Sequence, residues 1–161
     1  MNRHNQRDCC RDLFTEFEFQ DLRSASPPNK KGVYVIRVKK DGSSVKEIIE
    51  QVKQLVQNLN WKFVENYILN RIGRLKKINQ CPIIYIGSAG TRKASRNTLK
   101  GRYKEFSGRH TAMYPIWALL YFGWELEFGW KEEDDPGNVE SQLKQKYTER
   151  HKNKLPALVK Q

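Results

Sequence analysis

Two tyrosines sit in short apolar runs, GVYVIRV (Gly32 to Val38) and IIYIGSA (Ile83 to Ala89). Any apolar side chain would serve at either place, so the hydroxyls of Tyr34 and Tyr85 are the first candidates for chemistry. A phenol ionises at about pH 10 and becomes a useful base only where a metal or cations favour the phenolate. Cations are dense just behind the second run. Residues 92–110 carry Arg92, Lys93, Arg96, Lys100, Arg102, Lys104 and Arg109 against Glu105, which is half of the net charge of +12. Such a density suits a polyanion, chiefly nucleic acid.

Periodicity gives the elements that must position these groups. Gly32 to Val38 is β-branched and aromatic and ends at the turn signal Lys-Asp-Gly-Ser-Ser, so it reads as a strand. Ile83 to Ala89 reads as a second strand, with Ile83, Tyr85 and Gly87 on one face, and Glu125 to Lys131 as a third. If the first two strands pair side by side, Tyr34 and Tyr85 project from one sheet face. Ile48, Val52, Leu55, Val56 and Leu59, then Phe63, Tyr67, Ile68, Ile72 and Leu75, recur at helical intervals, with a break expected around Asn58 to Asn60. Further helices are expected over Asn97 to Phe106 (ended by Ser107-Gly108), Ala112 to Phe122, and from Asp134-Asp135-Pro136 to Asn153. The group Trp117, Tyr121, Phe122 and Trp124 reads as core. Leu155-Pro156 is expected to end the fold. The expected class is α/β in the α+β sense: a small three-stranded mixed or antiparallel sheet flanked by helices.

Residues 1–31 read as an N-terminal arm, with Leu13, Phe14, Phe17 and Leu22 spaced for a short helix that Pro27 and Pro28 close. Residues 32–161 then form one domain, with a helical insertion over 45–79. A chain of 161 residues that is 38% hydrophobic buries a core without staples. It has no apolar run long enough to span a bilayer, so no membrane partner is expected. The opening MNRHNQRDCC lacks the apolar core of a secretory signal, which makes the cytoplasm the expected location. Three cysteines without framework spacing argue against a disulfide scaffold. His4, Cys9 and Cys10 are potential metal ligands, but no second Cys/His pair at zinc-site spacing accompanies them.

Taken together, these segments resemble the GIY-YIG nuclease family. Gly32-Val33-Tyr34 stands where that family has its first signature triplet, and Tyr85-Ile86-Gly87 matches its second. Leu99-Lys100-Gly101-Arg102 places an arginine on the following helix, and Glu140 stands where the family has a glutamate near the start of a later one. The two triplets often lie close together in the family. Here the insertion separates them, which resembles the restriction-enzyme members more than the minimal repair-type module. Phe106 stands where a histidine is common, and Pro156-Ala157-Leu158-Val159 lacks the family's closing asparagine.

The resemblance implies a divalent-metal-dependent endonuclease acting on duplex DNA. Tyr34 would be the base or water-orienting group, and Tyr85 would position water or phosphate. Arg102 would present a two-pronged donor to the phosphoryl centre. Glu140 would ligate Mg²⁺ or Mn²⁺ as a hard oxygen donor. Lys93 and His110 are candidates to contact the phosphate or protonate the leaving group. Gly32 and Gly87 would give backbone clearance, with Gly87 letting the nucleic acid approach. Arg92, Lys93, Arg96, Lys100, Lys104 and Arg109, with Arg71, Arg74, Lys76 and Lys77 at the end of the insertion, would hold backbone phosphates. A restriction-type enzyme that cuts both strands would need two sites, which a homodimer supplies. The alternatives are a structure-specific repair, recombination or mobile-element nuclease, and a nucleic-acid-binding module that does not cut. Each residue also has an ordinary explanation. Strand tyrosines pack well, surface arginines are common, and a glutamate early in a helix favours the dipole without any metal.

Overall fold

The computed structural model describes residues 8–55, 61–77, 81–91, 97–106 and 112–159, without the side chains of Trp61 and Lys77. The elements run in the order β1 (Glu18–Asp21), β2 (Gly32–Lys40), α1 (Val45–Leu55), α2 (Trp61–Val64), a π-helical turn (Glu65–Leu69), α3 (Asn70–Lys77), β3 (Ile83–Ala89), α4 (Leu99–Glu105), α5 (Met113–Tyr121), β4 (Glu125–Glu132) and α6 (Pro136–Arg150). The sheet has four strands, not the three expected, in the order β1-β4-β2-β3, and every pairing is antiparallel. The extra strand is β1, in the arm. Only a turn of 3-10 helix over Arg11–Phe14 forms where the apolar spacing suggested a helix. Phe19 on β1 explains the difference: its ring fills the place where a Cβ on Gly129 of β4 would stand. An aromatic ring over a strand glycine recovers packing that the glycine forgoes.

The sheet is buried on both faces, so β2 is buried over five consecutive residues instead of alternating. Tyr34, Ile36, Ile84, Leu126, Phe128 and Trp130 belong to the core shared with α1 to α5. Val33, Val35, Ile83 and Ile86 pack with Leu143 and Tyr147 of α6 and with Cys10, Phe14 and Cys81. Ile83 therefore does not share the face of Tyr85, because the β2–β3 register shifts between Ile36 and Arg37. A bulge of one residue sends the next side chain to the opposite face.

The helices of the insertion follow the expected spans, and the break at Asn58 to Asn60 lies outside the described residues. Trp124 is core and donates its indole N–H to the Ser43 carbonyl at 2.8 Å, but Tyr121 is 77% and Trp117 49% exposed. The chain does not end its packing at Leu155-Pro156. Ala157, Leu158 and Val159 are buried, and the Leu158 amide donates to the Ile84 carbonyl at 2.9 Å. Among the described residues no helix is long and apolar enough to cross a membrane.

Candidate functional site

β2 and β3 pair so that Tyr34 faces Gly87 and Ile36 faces Tyr85. Tyr85 is therefore the diagonal neighbour of Tyr34 on one sheet face. The two rings stack at 5.8 Å between centroids, and Phe106 from the end of α4 meets both edge-on at 5.9 and 5.8 Å. On its other side Tyr34 stacks on Phe128 of β4 at 5.4 Å. The residue standing where the resembling family often has a histidine is here a hydrophobic wall for both phenols.

Gly87 gives clearance, but to the tyrosines. A Cβ there would lie 2.6 Å from the Tyr34 hydroxyl oxygen and 2.9 Å from the Tyr85 ring. Gly32 has a different reason: a Cβ would collide with the Lys131 carbonyl of β4, so glycine lets the two strands close. Neither observation involves room for a bound strand of nucleic acid, the role expected of these glycines.

Tyr34 is buried, at 2% exposure. Burial pushes its phenol well above the usual value, and the Tyr85 and Glu140 charges add to this while Arg102 opposes it. Tyr85 is also raised by burial, but less deeply buried. The hydrogen bond it shares with the Tyr34 hydroxyl, together with the charges of Arg102 and Arg71, eases its ionisation, and Glu140 works against it. The shared bond thus keeps the proton on Tyr34 and favours charge on Tyr85.

Arg102 projects from α4, whose N-terminus is capped by the Thr98 hydroxyl accepting from the Gly101 amide at 3.1 Å. Its Nη1 donates to Glu105 at 2.9 Å. Its Nε is buried without a hydrogen-bond partner among the described residues. A buried guanidinium N–H left unpaired is costly, and an incoming anion would satisfy it. Glu140 sits on α6, on the other side of the sheet from α4, and its carboxylate reaches the β3 edge. There it accepts from the Ser88 hydroxyl at 2.8 Å and from Lys144 at 3.1 Å. Its charge still acts on both phenols. Tyr34 and Tyr85 are thus in direct contact, while Arg102 and Glu140 act on them through their charge from helices on opposite faces of the sheet.

The basic residues divide. Lys76, Lys100 and Lys104 are exposed. Arg71 is buried at 5%, lies over the Tyr67 ring at 5.4 Å, and acts on Tyr85, so it belongs to the site and not to an outer phosphate surface. Tyr67 lies in the π-helical turn. Arg74 donates from Nη1 to the carbonyls of Ala157 at 3.1 Å and Val159 at 3.0 Å, a structural role beside the phosphate contact expected of it. Arg92, Lys93, Arg96, Arg109 and His110 lie outside the described residues, as does the Lys77 side chain.

As a metal donor set the site is sparse. Asp135 is occupied as the α6 cap, accepting from the Asn138 amide at 3.4 Å. Among the described residues Glu140 forms part of no group of three or more Cys, His, Asp or Glu ligands. One carboxylate completed by water and phosphate oxygens is an ordinary arrangement for a small hard cation, so the residues fit that kind of ion only. Sequence reasoning missed Ser88 and Lys144. The Glu140–Lys144 spacing of one helical turn was a legible signal for the second. Nothing in the sequence marked Ser88.

Comparison with protein-family models, with curated proteins and with solved structures returned no match for this chain.

Proposed function

We propose that the protein is a metal-dependent endonuclease that hydrolyses DNA phosphodiester bonds. The observation that carries this reading is the stacked, hydrogen-bonded pair of phenols, under the charge of a guanidinium with an unpaired buried N–H on one side of the sheet and of a carboxylate bound to β3 on the other. The net charge of +12 supports a polyanionic substrate.

The residues divide the work. Arg102 binds the phosphate and meets the charge that builds on it. Tyr85, the more accessible phenol, orients and deprotonates the attacking water. Tyr34 donates to Tyr85 and holds it in place, which exchanges the roles that family resemblance implies for the two. Arg71 steadies negative charge on Tyr85. Glu140, released from Lys144, would hold Mg²⁺ or Mn²⁺, which when bound supplies Lewis-acid stabilisation of the leaving oxygen. Lys144 is then free to face a phosphate. The helical insertion and the arm favour target recognition of the restriction type, with a homodimer to cut both strands.

A second reading, a nucleic-acid-binding module that does not cut, draws on one observation: burial keeps Tyr34 neutral. One experiment separates the two. The chain is incubated with plasmid and Mg²⁺, beside Glu140→Gln. Linear or discrete products from the wild type only, with binding retained by the variant, support the nuclease. Binding without cleavage by either protein supports the module. Discrete fragments from a long duplex would point to restriction, and cutting only at branches or nicks to repair.

A further inference from the structure

In the core on the other face of the sheet from the phenols, four ligand-bearing side chains from three parts of the chain meet. Cys9 and Cys10 come from the arm, Cys81 stands before β3, and His151 follows α6. We propose that Cys9, Cys10, Cys81 and the Nε2 of His151 form a closed tetrahedral zinc site that clamps the arm and the end of α6 to the start of β3.

The geometry is that of a ligand set. The four ligand atoms all lie within 4.8 Å of one another. With Zn–S of ~2.3 Å and Zn–N of ~2.0 Å, the edges of a tetrahedron are roughly 3.5–3.8 Å. The Cys9 and Cys10 sulfurs are 3.8 Å apart, and the Cys9 sulfur is 3.3 Å from His151 Nε2. The other imidazole nitrogen is already engaged. His151 Nδ1 lies 2.7 Å from the Tyr147 carbonyl, and a backbone carbonyl only accepts, so the proton sits on Nδ1 and the Nε2 lone pair faces the sulfurs. The ring stacks on Tyr147 at 3.9 Å, which fixes its orientation.

The surroundings also suit an anionic cluster. The Tyr147 hydroxyl is buried, and the Cys81 sulfur beside it is the acceptor within its reach, though no hydrogen bond of ordinary geometry has formed among the described residues. A thiolate sulfur there supplies the missing bond. Arg150 brings positive charge to Cys9 and Cys10 while its guanidinium grips Asp12 of the arm at 2.6 and 2.8 Å. All three thiols are free, and two are buried. Three thiolates and an imidazole select a borderline-soft ion with no open position, which describes a structural zinc and not the hard cation that Glu140 would take. Binding displaces the thiol protons to solvent.

The site joins the two elements that present the candidate residues. Cys81 lies two residues before the strand that carries Tyr85 and Ser88, and His151 directly follows the helix that carries Glu140. Metal at this end would hold α6 in register against β3, keeping Glu140 beside Ser88.

The test needs no cleavage assay. The full chain, expressed with zinc, is desalted and its metal measured by mass spectrometry, then exchanged into Co²⁺. About one zinc per chain is expected, with thiolate-to-cobalt charge transfer and the intense visible bands of a tetrahedral ion. Cys81→Ser and His151→Ala should lose the metal, and His151→Cys should keep it. To separate metal loss from misfolding in those variants, a chelator titration of the wild type is read by melting temperature, and a fall on metal removal that added zinc reverses is expected. Substoichiometric zinc (below about a tenth per chain) with no cobalt spectrum overturns the proposal. So does a thiol count showing a disulfide among the three cysteines in the native chain.

Discussion

The hydroxyl of Tyr34 occupies the space that a side chain at residue 87 would need: a Cβ there would stand 2.6 Å from it and 2.5 Å from the ring carbon that bears it. The two residues are directly opposite in the β2–β3 ladder. The phenol is hemmed by Phe106, Phe128 and Tyr85, so it has no free direction in which to yield.

Gly87→Ala should therefore displace Tyr34 and break its bond to Tyr85. Overpacking of this kind costs about 1–3 kcal/mol of stability. Cleavage should also fall, by roughly a hundredfold, because the positions of both hydroxyls are lost together. Urea denaturation beside a plasmid assay checks both. Unchanged cleavage in a destabilised variant would remove Tyr34 from the site.

Burial of Tyr34 also sets how stability responds to alkali. Its folded-state ionisation lies well above that of the unfolded chain, where a tyrosine titrates at about pH 10. Below that pH both states keep the proton. Above it the unfolded chain releases the proton first, so stability is present below about pH 10 and falls as pH rises further. Tyr34→Phe removes this contribution. The wild-type slope of stability against pH, measured between about pH 10 and 11, should exceed that of the variant by up to about 1.4 kcal/mol per unit, one proton's worth. Equal slopes would mean that Tyr34 ionises freely in the fold.

How much of this was legible in the sequence depended on range. The strands β2, β3 and β4 announce themselves through β-branched and aromatic runs, and the helices through apolar spacing. β1 did not, because Glu-Phe-Gln-Asp has one apolar residue. It becomes a strand by pairing with β4, where Phe19 covers Gly129. The bulge that turns Ile83 away from Tyr85 is likewise a property of two strands, and the period within one strand is silent about it.

The candidate site was legible as residue types and less so as roles. Tyr34, Tyr85, Arg102 and Glu140 were singled out, but not which phenol would be buried, since that depends on β4 and on Phe106 closing over it. The Cys/His cluster was legible only in part. Cys9 and Cys10 stood out as potential ligands, but Cys81 and His151 each follow after a gap of roughly seventy residues, and local ligand spacing is the zinc signal a sequence prints.

The Glu140–Lys144 pair predicts a competition for metal. The two groups are one helical turn apart and partly exposed, so their attraction is small, about 0.2–0.5 kcal/mol. Any cation that takes Glu140 must first displace that bond. Lys144→Met should then lower the Mg²⁺ concentration for half-maximal cleavage by about twofold, the factor matching such an energy. A Mg²⁺ titration of both proteins measures it, and a requirement that rises in the variant would mean that Lys144 assists the metal site instead of opposing it.

Arg74 and Lys76 lie two residues apart on α3 and should behave oppositely. Arg74 donates from one nitrogen to the carbonyls of Ala157 and Val159, holding the C-terminal segment against the insertion. Lys76 is exposed. Arg74→Met keeps most of the side-chain stem but abandons both carbonyls, and charged hydrogen bonds of this kind are worth about 1.5–3 kcal/mol. Its stability should fall by that order while the salt dependence of DNA binding stays unchanged. Lys76→Ala should leave stability within about 0.5 kcal/mol, as for an ordinary surface change. If this face meets the duplex, it should also make the plot of log affinity against log salt shallower by about 0.9, the contribution of one phosphate contact. Denaturation midpoints and binding isotherms at several salt concentrations decide the matter. A shallower salt slope for Arg74→Met with its stability intact would return Arg74 to the DNA surface and take it away from the C-terminal carbonyls.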